Sequence, residues 1–192
     1  MSPHQARSRF AAARVARLAT VDDAGRPHLV PVVFATDGAD GIVTAVDHKP
    51  KTTARLKRLH NIEVSPAVCL LADAYDEDWD RLWWARADGG ARILAPHGPG
   101  APAADTRREH EEHEEHAEHA EYAEYAEYEK RAEYQEYEQY EERAEYEAAV
   151  AALRRKYPQY ARTPPRGPVI AVTVHRWTGW QAAPADPAGP PG

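Results

Sequence analysis

Cysteine is almost absent from this chain of 192 residues: Cys69 stands alone, so no disulfide can close within it. Its neighbours Ala67, Val68, Leu70 and Leu71 put it in an apolar strand as a buried, inert thiol, which suits a reducing cytoplasm. Long apolar runs are missing too. No stretch approaches the roughly 18 residues that a membrane span requires. The arginines at positions 7, 9, 14 and 17 precede neither an apolar run nor the small-residue cleavage site of a secretory signal. Phe10 to Thr20 leads instead into strand-like sequence, which argues against an organelle transit peptide.

Positive charge is scarce, but only in one region. The net charge is −7, yet Glu109 to Glu147 holds seventeen Glu against Lys130, Arg131 and Arg143, a local −14. The rest of the chain then carries 21 Lys and Arg against 14 Asp and Glu, which is +7. A basic folded body suits an anionic ligand: a coenzyme phosphate, a nucleic acid or an acidic lipid surface. The length allows one domain with an insert. The expected division is a first part of the domain at 1–102, a helical insert at 103–160, the final strand at 161–181 and a loose Pro/Gly tail at 182–192.

Within the body, Pro3 to Arg14 reads as a short helix. Val15 to Val21 is a β-branched strand that stops at the turn formers Asp22 to Pro27, and His28 to Ala35 resumes as its hairpin partner. Pro31 lacks an amide donor, so this return strand belongs at an edge or carries a bulge. A second turn, Thr36 to Gly41, leads to a strand at Ile42 to Val46, and the two successive hairpins predict an antiparallel meander. Thr52 to Asn61 reads as a helix capped by Thr52 or Thr53. Ala67 to Ala72 is a buried strand. Arg81 to Leu94 is a long one, bent or bulged at Gly89-Gly90. Val169 to Trp177 is the last. Six strands with a single helix among them argue for a mainly β (α+β) protein built as a closed or half-closed barrel.

The insert repeats every three residues. From His110 to Tyr146 each third position is His, Tyr or Arg, nearly always preceded by Glu. Three residues turn an α-helix by about 300°, so the aromatic stripe slips back about 60° per repeat and winds around the rod. No face stays apolar, and such a helix should project into solvent. The carboxylate repulsion predicts weak intrinsic helicity. Only Ala148 to Tyr160, with Val150 and Leu153 at helical spacing, should dock, and Pro158 should close it. His110, His113, His116 and His119 could share nickel or zinc, and the acidic rod could recruit a basic partner. A repeat expansion is the simpler account, and no metal site is assigned.

A candidate anion site lies at Thr44 to Thr53. There a strand delivers Lys49, Lys51 and hydroxyl groups to the start of a basic helix, where free amides and the helix dipole favour negative charge. A solvated basic surface is the bland alternative. At this point the order of elements becomes familiar. The run Ala13 to Val21, followed by Gly25 to Phe34, resembles the opening hairpin of the pyridoxamine 5'-phosphate oxidase-like split β-barrel superfamily. Thr44 to Lys51, Asp76 to Trp79, Arg81 to Trp84, Lys156 to Tyr160 and Arg176 to Trp180 resemble its actinobacterial branch that uses the deazaflavin coenzyme F420.

The resemblance implies a six-stranded split barrel, here with one long protruding acidic helix, forming a homodimer with coenzyme at the subunit interface. Pro31, Val32 and Val33 would lie along the planar ring. Thr44, Lys49, Lys51 and Arg55 would hold the phosphate or acidic tail, the lysines as point charges. Trp83 and Trp84 face opposite sides of a strand, and Trp84 is taken as the pocket wall. Trp177 and Trp180 are expected in the core. The implied reaction is hydride transfer between F420 and a small electrophile such as a quinone or conjugated alkene, with no nucleic-acid or membrane partner. Because the coenzyme carries the chemistry, no catalytic acid or base is assigned, although His28, His48 and Tyr75 are possible proton donors. Flavin mononucleotide (FMN) in the same cleft, or coenzyme binding without turnover, are the alternatives.

Overall fold

The chain opens with a self-capped helix, α1 (Pro3–Ala12): the Ser2 hydroxyl accepts from the Gln5 amide at 3.3 Å, and the Gln5 side chain takes the Ser2 amide at 2.8 Å. Pro3 costs this helix nothing, since a first-turn amide has no partner inside it. Ala6 and Phe10, one turn apart, form its buried face. The computed structural model describes residues 1–38, 40–46, 56–96 and 118–182.

Among the described residues seven strands follow: β1 (Ala16–Val21), β2 (Pro27–Val32), β3 (Ala35–Asp37), β4 (Gly41–Ala45), β5 (Ala67–Ala74), β6 (Trp83–Leu94) and β7 (Val169–Gln181). They make one antiparallel sheet in the order β2-β1-β5-β6-β7-β4-β3. The expected strand His28 to Ala35 is therefore two strands, broken at Val33-Phe34, and the expected meander is absent. The β1-β2 and β3-β4 hairpins exist, but β2 and β3 lie at opposite edges of the sheet. Three residue steps, at most about 11 Å, separate Val32 from Ala35. The sheet must curl until its two edges nearly meet, which gives the barrel. Pro31, without an amide donor, sits on edge strand β2.

The break is sealed from outside. Phe34 leaves the ladders with its amide and carbonyl both unpaired, and the buried Tyr157 hydroxyl serves them: it accepts from Phe34 N at 3.1 Å and has the Phe34 and Arg14 carbonyls each at 2.8 Å as acceptors for its single proton.

Turn chemistry fixes the first hairpin. The Asp22 carboxylate accepts from the amides of Ala24 and Arg26 at 3.1 and 2.8 Å, and Gly25 takes the left-handed φ of 74°. In the β6-β7 ladder a bulge falls where Asp88 faces Arg176 but Gly89 faces Val174. A Cβ at Gly89 would sit 2.2 Å from the Thr173 carbonyl oxygen, so glycine is required there. Helix α2 (Lys57–Val64) begins at the extended cap Leu56 and has no side-chain cap; it runs later than the expected Thr52 to Asn61, and Thr52 and Thr53 lie outside the described residues.

The core has two parts. Inside the barrel are Leu18, Phe34, Ile42, Leu70 and Ile170, with Phe10 and Trp177. Outside β3, β4 and the start of β7, the end of α3 (Glu118–Lys156) and α4 (Pro158–Arg162) pack Tyr146, Ala149, Leu153, Tyr157 and Tyr160 on Val43 and Val169. This corner is buried on both faces, which explains the continuous apolar runs of β4 and β7. Docking starts at Glu145, which pairs with Arg92, and at Tyr146, slightly before the expected Ala148. Tyr134, Tyr137 and Tyr140 are exposed, as the drifting stripe predicts.

Candidate functional site

On β1, β5, β6 and the end of β7, alternation sends Ala16, Leu18, Leu70, Ala72, Ala85 and Ala87 into the barrel. The residues between them face outward, and no described helix covers them. Register aligns this outer face in rows: Pro31, Arg17, Leu71, Arg86 and Thr178 in one; Leu29, Ala19, Cys69, Asp88 and Arg176 in the next; Asp73, Trp84 and Trp180 in a third.

Asp88 is the hub of this face. It accepts from Arg176 at 2.9 and 3.1 Å and forms an ion pair with Arg86 at 3.1 Å. Burial alone would raise its pKa, but the bonds from Arg176 and Cys69 and the charge of Arg86 outweigh it and hold the carboxylate below its ordinary range. The half-buried Cys69 thiol is pushed up to about 11, first by burial and then by Asp88, so it is no nucleophile at neutral pH. Arg17 pairs with Asp73. Three arginines against two aspartates leave the face with one net positive charge.

Two polar atoms on this face are buried without a partner: Arg86 Nε and Thr178 Oγ1, neighbours across the β6-β7 ladder. A buried donor left unbonded costs about 1–3 kcal/mol. The same outer face carries exposed apolar side chains, Leu29 at 61% and Trp180 at 47%. This face is half apolar and slightly positive, and it leaves two buried polar atoms without hydrogen-bond partners among the described residues.

Of the residues singled out from the sequence, Pro31 and Trp84 share this outer face, about three strand spacings or 14 Å apart. Val32 turns into the barrel core at 8% exposure, and half-buried Val33 packs beside the second core. Thr44 is buried opposite Ile170 and does not join them. Lys49, Lys51, Arg55 and His48 lie outside the described residues, as do His110, His113 and His116. Trp177 is in the core as expected, packed 5.3 Å from Phe10; Trp180 is not, because three positions along an alternating strand reverse its side. His28 is half-buried with Nδ1 unpartnered, and Tyr75 is exposed. Arg17, Arg86, Asp88 and Thr178 were not singled out. Their signal was present: Trp84-Ala85-Arg86-Ala87-Asp88 alternates perfectly, and two charges on one face of a central strand are rare without a function.

These features define a class first: a small antiparallel barrel, split between its edge strands β2 and β3, with an outer face that no described helix covers. The sequence pattern of the family described as pyridoxamine 5'-phosphate oxidase matches residues 2–181, and the chain belongs to that family. No curated protein matches the chain. Solved structures share the fold. A conserved hypothetical protein of Mycobacterium tuberculosis is 15% identical, covering 98% of this chain and 92% of its own, with a TM-score of 0.57. An FAD-binding protein from Mesorhizobium loti is 14% identical, covering 95% and 96%, with a TM-score of 0.56. The heme storage protein HutZ of Vibrio cholerae is 13% identical, covering 94% and 95%, with a TM-score of 0.51. No described helix is long and apolar enough to cross a membrane.

Proposed function

We propose that this protein is an F420-dependent oxidoreductase. In this reading it is a cytoplasmic homodimer that holds the coenzyme against the outer face of β1, β5, β6 and β7 and moves a hydride between the ring and a small electrophile such as a quinone or conjugated alkene. The observation that carries it is the pair of buried, unpartnered atoms Arg86 Nε and Thr178 Oγ1 on the uncovered face of a barrel from this family. A ring bearing carbonyl acceptors meets both needs. When bound, the coenzyme supplies the two-electron chemistry, and the chain supplies position and charge.

Each residue then has a role. Arg86 donates to a ring acceptor while Asp88, itself fixed by Arg176, keeps the guanidinium from turning away. Thr178 supplies a second donor. Trp84 and Pro31 give flat apolar walls that exclude water. Lys49, Lys51 and Arg55, which follow β4 in the chain, neutralise the phosphate or acidic tail, and a second copy covers Leu29, Val15 and Trp180. Val32 and Thr44, whose side chains point into the protein, set the strand positions rather than touch the ligand.

FMN is the second reading, favoured by the FAD-binding name of the Mesorhizobium loti structure; coenzyme binding without turnover is the third. Titration of the purified protein with F420 and with FMN, followed by tryptophan quenching, separates them. The proposal expects saturable binding with F420 at least about tenfold tighter, a difference of about 1.4 kcal/mol. Tighter FMN binding would replace F420, and saturable binding of neither would remove both.

A further inference from the structure

One end of the barrel holds a cavity of about 490 Å³ that the outer face does not include. Trp83 is its floor. Successive residues of a strand face opposite ways, so Trp83, packed against the core cluster, and outward-facing Trp84 line opposite sides of β6. The walls come from the loop after β5, through Tyr75, Asp76, Asp80 and Arg81, and from α1, through Arg9.

The chemistry of this cavity is specific. The Arg9 guanidinium lies 5.5 Å from the Trp83 ring centroid and donates to Gln181 Oε1 at 3.1 Å, which fixes it over the indole. Arg81 lies 3.5 Å from Asp76. Each guanidinium has five N–H donors, more than these contacts use. Two arginines and two aspartates line the cavity, so it has no net charge, and the carboxylates of Asp76 and Asp80 oppose an anionic ligand. Tyr75, 79% exposed at the rim, adds a second aromatic surface. The volume falls within the usual 300–1,000 Å³ of small-molecule pockets.

We propose that this cavity binds a small, uncharged, planar aromatic compound that carries carbonyl oxygens. The ring lies against Tyr75 and beside the Arg9-capped indole of Trp83, and the carbonyls accept from Arg9 and Arg81. The assignment does not depend on the coenzyme reading, because no residue of the outer face takes part in it.

Isothermal titration of the full chain with coumarin, a neutral bicyclic lactone, tests it against 2-naphthoate, an anionic ring system of similar size. Expected is saturable one-to-one binding of coumarin, weakened about tenfold by Trp83→Leu. Arg81→Gln changes an exposed side chain outside the core and cannot unfold the barrel; it is expected to weaken coumarin about fivefold. Tyr137→Ala, on the distant part of α3, is expected to change nothing. The proposal is overturned if coumarin does not saturate, if 2-naphthoate binds as tightly, or if Arg81→Gln binds coumarin as wild type does.

Discussion

Tyr137 and Tyr146 stand in the same helix, each preceded by Glu, yet one is 60% exposed and the other 8%. Nine residues of α-helix turn about 900°, which places the two on opposite sides of the rod. Tyr146 shares its side with Ala149 and Leu153, and all three are buried. Its hydroxyl donates to the Gly167 carbonyl at 3.1 Å. The Tyr137 hydroxyl bonds instead to Glu141, one turn along the same helix, which raises its pKa. The difference teaches that residue type does not decide docking in α3. What decides it is whether a stripe keeps one face long enough to meet the barrel, and a repeat of three cannot, whereas spacing of three then four can.

The sharpest way to break this comparison is to empty the docked face. Leu153→Ala removes a fully buried side chain and is expected to cost about 2–5 kcal/mol in urea unfolding, whereas Tyr137→Ala should stay within about 0.5 kcal/mol. Equal effects would show that the two halves do not differ as described. Next in size is Tyr157→Phe. It deletes the hydroxyl that serves the Phe34 amide and carbonyl at the barrel break and should cost about 1–3 kcal/mol with little change in volume. A neutral result would mean that the break is sealed by other means.

A smaller effect tests the barrel itself by pH. Asp22 is held at a pKa of about 2, mainly by the Arg26 amide, with help from the Arg26 and Lys57 side chains against the opposing cost of burial. A folded-state pKa below the ordinary 3.8 gives stability that is fully present above about pH 4 and is lost as pH falls toward 2. Urea melts of Asp22→Asn should therefore show a shallower loss across that window than wild type. An identical slope would contradict the assignment of this carboxylate.

Much of the fold was legible because it rests on local chemistry. The Asp22 to Pro27 turn, the Gly89-Gly90 irregularity and the edge position of Pro31 each follow from what one residue type can or cannot do with its backbone. The break at Val33-Phe34 was not legible, since it is made by Tyr157, more than a hundred residues away, whose hydroxyl replaces the ladder partners that Phe34 loses. The start of α2 was misplaced for a related reason: Thr52 and Thr53 are good caps, but the helix begins at Lys57 behind an uncapped Leu56. At the candidate site, the family resemblance pointed to Pro31, and strand alternation put Trp83 and Trp84 on opposite sides without deciding between them. Val32 was misplaced, because a one-residue change of face in a strand separates wall from core. Arg86 and Thr178 become conspicuous only when the register places them side by side beneath an uncovered surface.

The account's central claim is that the outer face, and not the acidic rod, binds the coenzyme. The direct measurement is F420 affinity for Arg86→Ala beside a variant lacking residues 109–141, which keeps the docked end of α3 from Glu145 onward intact. Predicted is a loss of about tenfold or more for Arg86→Ala, from removal of a buried charged donor, with wild-type affinity in the shortened chain. Wild-type affinity in Arg86→Ala, or its collapse in the shortened chain, would contradict the claim.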